Sequence, residues 1–86
     1  MTPEQLLVVA REFCPRYRVS ITDFAALAAA SAAAHARIDG IEVHDGPQRA
    51  AAALEKVLRA VPALSGHNAE FARLCKRIYL QSAELG

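Results

Sequence analysis

The sequence predicts an all-α fold, a compact four-helix domain, on three observations. Alanine supplies nineteen of the 86 residues, and no residue is accommodated better in a helix. Apolar residues recur at the helical period in four segments that proline, glycine or capping residues separate. The length is that of a single domain with a thin core, in which folding removes only about 60–65% of the unfolded surface from water.

The first helix is predicted at residues 3–14. Thr2 followed by Pro3 and Gln5 is typical of a capped helix start, and Pro15 is expected to end the segment. The connection at 16–21 alternates basic and apolar residues, and we interpret it as a loop because no second strand is available to pair with it.

The second helix is predicted at residues 23–38, with Thr22 or Ser20 as its cap and Asp39-Gly40 as its end. Most of its surface is alanine, which favours a central position among close neighbours. The expected inner face carries Phe24, Leu27, Ala28, Ser31, Ala34 and Ile38.

The third helix, at residues 47–60, follows a loop over 41–46 and begins at Pro47 after Asp45 or Gly46 as the cap. The fourth is predicted at residues 66–84. The expected inner face of the third helix carries Ala50, Leu54, Val57, Leu58 and Val61, and that of the fourth Phe71, Leu74, Cys75, Ile78 and Leu85. A short Pro/Gly loop separates the two helices, which should form an antiparallel hairpin.

Composition argues against several classes of function. Ten Lys/Arg against nine Asp/Glu give a net charge of +1, so no strong nucleic-acid or membrane footprint is expected. The basic residues Arg73, Lys76 and Arg77 are interpreted as the solvated face of the last helix. Without an apolar run long enough for a span, the chain is expected in the cytoplasm with reduced thiols.

No metal site and no cofactor are predicted from spacing. His35, His44, His67, Cys14 and Cys75 do not stand at ligand spacings, and they are interpreted as surface histidines and small core hydrophobes. Neither cysteine has a neighbour in sequence that would fix a low pKa.

The loop before the fourth helix is the candidate site. The backbone amides at a helix start attract phosphate groups, and Ser65, Gly66, His67 and Asn68 supply a glycine and polar donors there. Plain helix capping is the commoner explanation for residues of this kind, so spacing alone favours capping over a phosphate site.

At these residues the chain resembles the Fic/Doc family, specifically its death-on-curing toxins, over about residues 23–86. The resemblance is clearest in the helix Gln48 to Arg59, then Pro62, Gly66 and the closing Glu84-Leu85-Gly86, where the family has an alanine–leucine helix, the signature H-P-F-x-D-G-N-K/G-R and a second apolar helix. Ile38-Asp39-Gly40 falls where the family often has a glycine before a variable loop.

The signature itself is mostly replaced. Val61 stands where the family has its histidine base, and Ser65 stands where an acidic residue holds magnesium. Pro62 and Gly66 are kept, Ala63 replaces the phenylalanine, and His67-Asn68-Ala69 replaces the asparagine, the lysine or glycine, and the phosphate-gripping arginine. Phosphoryl transfer in the family's manner needs a general base and a positive charge that binds phosphate. Valine cannot accept a proton and alanine carries no charge, so this sequence lacks both at the family's positions.

The resemblance therefore implies a degenerate Doc-like domain that acts by binding a protein partner or a second copy, within a system of the toxin–antitoxin type. The alternative is an AMP- or phosphotransferase with an altered site around 61–69. It would use ATP or another nucleotide with Mg²⁺, His67 as the base, and Ser65, Asn68 and the nearby amides as phosphate ligands.

Overall fold

The computed structural model describes residues 1–35, 37–38, 41–42 and 46–85, and side chains at 1–35 and 46–82. Within that part of the chain, four helices and one short hairpin follow in the order α1 (Pro3–Tyr17), α2 (Phe24–Ala34), β1 (Arg37–Ile38), β2 (Ile41–Glu42), α3 (Pro47–Ala60) and α4 (Asn68–Leu85). The predicted all-α four-helix class is confirmed. None of the described helices is long and apolar enough to span a bilayer.

Helix α1 begins as predicted but continues past Pro15. The Thr2 side chain accepts a hydrogen bond from the Gln5 amide, and the Gln5 side chain accepts one from the Thr2 amide, which is a complete capping box. The predicted end at residue 14 is wrong. Proline removes one backbone hydrogen bond near the helix end, while Phe13 and Tyr17 still stack one turn apart, with ring centroids 4.1 Å apart.

Helix α2 is shorter than predicted. Asp23 lies outside the helix as its cap, with its carboxylate accepting from the Ala25 amide, and the helix ends at Ala34 rather than residue 38. Arg37–Ile38 instead pairs antiparallel with Ile41–Glu42, so that Ile38 lies opposite Ile41. β-Branched residues favour strands, and the Asp-Gly dipeptide between these two in sequence is a common hairpin connector. The predicted helix end at Asp39-Gly40 and the candidate cap Asp45 lie outside the described residues.

Helix α3 has the predicted bounds, with Gly46 as its cap in a left-handed conformation (φ 98°) that suits glycine. Helix α4 begins at Asn68, two residues later than predicted, because residues 61–67 belong to the connection. Helix α3 packs against α2 on one side and α4 on the other, while α1 makes fewer contacts with α2 and α4. The predicted α3–α4 hairpin is therefore the centre of the fold.

Small side chains make up much of the core. The buried apolar residues are Leu6, Ala10, Phe13, Ala26, Leu27, Ala30, Ala34, Ala50, Ala51, Leu54, Leu58, Ala63, Leu64, Phe71, Ala72 and Cys75.

Two residues predicted to point inward lie at the surface instead: Phe24 is 61% exposed and Val61 is 41% exposed. Ala28 is also exposed. In α2, alanine occurs on every side, so the apolar pattern does not define which face is buried. Val61 lies beyond the last turn of α3 as its C-terminal cap. The side chains of Ile38 and Leu85, also predicted to point inward, lie outside those described.

Candidate functional site

The α3–α4 loop, residues 61–67, is bonded along its length to the connection between α1 and α2. Ile21 and Leu64 form an isolated antiparallel bridge. The Thr22 and Asp23 amides both donate to the Ala63 carbonyl, at 2.8 and 3.1 Å, and the Ser65 amide donates to the Ser20 carbonyl at 2.8 Å. The α1–α2 connection is therefore a loop beyond Tyr17, as predicted, and its pairing with the α3–α4 loop is limited to one bridge and the hydrogen bonds around it.

Two candidate phosphate ligands in this loop already hold backbone groups. The Ser65 hydroxyl oxygen accepts from the Ser20 amide at 3.0 Å. The Asn68 side chain accepts from the Leu64 amide at 3.1 Å and donates to the Leu64 carbonyl at 3.0 Å. Leu64 is buried, and these two bonds give its backbone amide and carbonyl their hydrogen-bond partners. Both side chains thus fix the shape of the loop.

His67 precedes the first residue of α4 and lies in the left-handed region, with φ 55°. Its carbonyl accepts the first hydrogen bond of α4, from the Phe71 amide. Its ring lies 5.0 Å from the Tyr17 ring, and its Nδ1 lies 3.6 Å from a carboxylate oxygen of Glu70. The imidazole therefore joins the start of α4 to the end of α1. Gly66 packs tightly, since a Cβ there would lie 3.4 Å from a methyl carbon of Val19.

The thiols are free and separate in the fold. Cys75 lies in the core, and burial raises its pKa to about 12. Partial burial also raises the pKa of Cys14. Among the described residues, no three His, Cys, Asp or Glu side chains meet in a way that could hold a metal ion. His44 lies outside the described residues.

A groove between α1 and α4 is the functional feature that sequence reasoning missed. The two helices run antiparallel, because Phe13 and Tyr17 meet the start of α4 while Gln5 lies beside Tyr79 and Ser82 further along it. Two cavities of about 430 and 470 Å³ lie between the helices and share Val9 and Ile78 as lining residues, so they lie next to each other along this groove. We call it the α1–α4 groove.

The two halves of the groove differ in chemistry. The half beside Met1 is largely apolar, with Val8, Val9, Ile78 and Tyr79 in its lining. Val8 is 57% exposed although it is a large aliphatic residue. The half beside Tyr17 carries charge from Glu12, Arg16, Glu70, Arg73 and Arg77. The signal in the sequence was that the apolar residues of α1 spread beyond one face at Leu7 and Val8.

The basic residues predicted to form one solvated face of α4 take separate positions. Lys76 lies 3.6 Å from Glu55 of α3, which also pairs with Arg59 at 3.6 Å. Arg73 and Arg77 are exposed, as predicted, and line the groove, and neither forms an ion pair within the described part of the chain.

No protein-family model matches the chain, and neither the curated proteins nor the solved structures compared with it yield a match. The resemblance to the Fic/Doc family accordingly stays a prediction.

Proposed function

We propose that this domain acts by binding another protein, and that the α1–α4 groove receives a helix of that partner. The observation that carries the proposal is the groove itself, which is lined by charged side chains at one half and by large apolar side chains at the other. Amphipathic helices bind in apolar grooves between helices.

The dimensions of the groove suit a helix. Helix α1 has 15 residues, and at about 1.5 Å per residue it offers a wall roughly 22 Å long. A partner helix of about 14 residues, with apolar side chains at i, i+3 or i+4, and i+7, would place three of them along that wall. Val8, Val9, Leu74, Ile78 and Tyr79 provide the apolar contacts.

The degenerate signature supports the same proposal because the residues needed for transfer chemistry are replaced. Val61 offers no base, and Ser65 and Asn68 hold the loop together through their side chains. A phosphate would have to compete with those internal hydrogen bonds. We place the domain, within this proposal, among Doc-like proteins of toxin–antitoxin type that have kept the helical frame and lost the transfer chemistry. A cytoplasmic setting is part of the proposal, and the free thiols support it.

The transferase alternative draws on one observation. Glu70 lies beside His67, with a carboxylate oxygen 3.6 Å from Nδ1, a distance longer than the hydrogen bond by which a carboxylate orients a histidine base. Under that alternative, the protein incubated with Mg²⁺ and labelled ATP or GTP transfers label to a protein in bacterial lysate, and His67→Ala abolishes the transfer. We expect no transfer by either protein, and transfer that His67→Ala removes would contradict the binding-only proposal.

The positive test is a titration of the ¹⁵N-labelled protein with a panel of amphipathic helical peptides of about 14 residues. We expect chemical-shift changes at Val8, Val9, Ile78 and Tyr79 with peptides that carry an apolar stripe. Peptides of the same composition with a shuffled order should leave these signals unchanged. Val8→Glu should weaken binding, whereas Ala52→Glu, at an exposed position of α3, is the matched control. Equal effects of striped and shuffled peptides would contradict the proposal.

A further inference from the structure

A cluster of arginines lies at one end of the α1–α4 groove. Arg16 comes from the last turn of α1, and Arg73 and Arg77 come from α4. None of the three forms an ion pair within the described residues. Arg73 and Arg77 stand four residues apart, so like charges lie next to each other on one helix face, which is mildly destabilising in an isolated helix.

Two carboxylates face the same end of the groove. Glu70 already lies beside His67, at 3.6 Å from its Nδ1. Glu12 lines the groove without an ion pair inside the described residues. Three guanidinium groups therefore face two carboxylates, and one of these carboxylates, that of Glu70, also lies beside His67. The local excess of positive charge would be neutralised by an acidic occupant.

We infer that the helix received by the α1–α4 groove is acidic at its N-terminal turn and apolar along the rest of one face; this inference rests on the proposed function. The acidic turn lies between Arg16, Arg73 and Arg77, where planar guanidinium groups can bind carboxylates through paired hydrogen bonds. The apolar stripe lies against Val8, Val9 and Ile78. Acidic residues in a first helical turn also stabilise the partner helix through its own dipole.

The geometry fixes the direction of the bound helix. The basic end of the groove lies at the C-terminus of α1 and near the N-terminus of α4. A helix whose acidic first turn lies there runs parallel to α4 and antiparallel to α1. Its C-terminal half lies beside Gln5 and Ser82, where no charged side chain lines the groove among those described. The N-terminal ammonium group of Met1, which also lines this half, lies 3.2 Å from His35 Nε2.

The test uses three peptides that differ in the first turn alone, with two glutamates, two glutamines or two lysines before the same apolar stripe. The Glu peptide should bind most tightly and the Lys peptide least tightly. The double variant Arg73→Ala/Arg77→Ala should weaken the Glu peptide by about three- to tenfold while changing the Gln peptide by less than about twofold. Raising the salt concentration should weaken the Glu peptide alone.

The matched control is Arg11→Ala/Lys56→Ala, which removes two exposed positive charges from α1 and α3 outside the groove lining. Its net charge equals that of the double groove variant, so it controls for bulk electrostatics. Its Kd values should stay within about twofold of those of the unmodified protein. Circular dichroism verifies that all variants fold.

Each outcome separates the two proposals. If all three peptides bind equally and Val8→Glu weakens all of them, the acidic specificity is wrong and the protein-binding function stands. If none moves the groove signals, both are wrong. If a second copy of the chain is the occupant, raising the protein concentration without peptide should shift these signals. If ATP or inorganic phosphate displaces the peptide and Val8→Glu has no effect on binding, the groove holds an anion site. Either result would overturn the inference.

Discussion

At the scale of single residues, burial decides what the Cys75 thiol can do. The Cys75 thiol lies in the same core cluster as Phe71 and Leu54, where a thiolate would lose its hydration without gaining a partner. Its pKa of about 12 makes it a small apolar side chain and not a nucleophile. Its interpretation as a core hydrophobe could be made from sequence because it falls on the apolar face of α4.

We expect Cys75 to make the folded state less stable at alkaline pH. The unfolded chain releases the thiol proton near the ordinary pKa of about 8.5, while the folded state keeps it until about pH 12. The unfolded state therefore binds fewer protons between these values, and the free energy of unfolding falls as pH rises, by up to about 1.4 kcal/mol per pH unit. Below the unfolded pKa the contribution is constant.

Urea unfolding of the wild type and Cys75→Ala between pH 7 and about 10.5 measures this dependence. Cys75→Ala should be less stable at pH 7 because it leaves a small cavity, but its stability should decline less steeply above pH 9. Cys14→Ala is the control, since Cys14 is only partly buried and should change the slope less. Parallel declines for wild type and Cys75→Ala would contradict the expectation.

At the scale of elements, the α3–α4 loop is a joint between the two halves of the chain. Its bonds reach residues 20–23, which lie about forty positions earlier, so the loop connects α1 and α2 to the α3–α4 hairpin. Sequence reasoning located this loop, its glycine and its polar residues. It did not predict the bridge from Ile21 to Leu64, because a single pair of bridged residues leaves no period-two pattern.

The hydrogen bonds of the α3–α4 loop lead to a specific prediction for Asn68. Asn68→Ala should lower the free energy of unfolding by about 1–3 kcal/mol, because it leaves the Leu64 amide and carbonyl without their partners. Asn68→Asp is the matched control: it keeps an acceptor for the Leu64 amide but loses the donor to the carbonyl, so its cost should be intermediate. Ser65→Ala removes one hydrogen bond from an exposed serine and should cost less.

Thermal or urea unfolding of these variants gives the comparison. Should Asn68→Ala leave stability unchanged, its side chain would be available for a ligand, as the transferase alternative requires.

At the scale of the whole molecule, the helical frame was more predictable than the faces that the helices present. Strong signals at the ends fixed the bounds of α3, where Pro47 and the loop after Ala60 interrupt the pattern. The alanine-rich α2 gave no such guidance, and the exposure of Phe24 could not be read from it. The groove was hidden for another reason: it depends on how far α1 and α4 separate along their length, and a single-chain pattern contains no information on that distance.

The same architecture predicts that α1 opens before the rest of the molecule. Helices α2, α3 and α4 share most of the contacts between elements, whereas α1 is held mainly by Leu6, Ala10 and Phe13. Native-state hydrogen exchange should therefore give a lower opening free energy for α1 amides than for those of Leu54 and Phe71, because opening a weakly packed segment exposes less apolar surface.

An occupant of the groove should protect α1, since α1 is one wall of the site. With the Glu peptide at about 100 times its Kd, the opening free energy of α1 should rise by up to about 2.7 kcal/mol, because opening α1 would release the peptide. Val8→Glu should lose that protection while Ala52→Glu keeps it. Equal opening free energies for α1 and α3 amides would mean that α1 belongs to a single cooperative unit. No change in the α1 value on adding peptide would mean that the peptide does not bind against it.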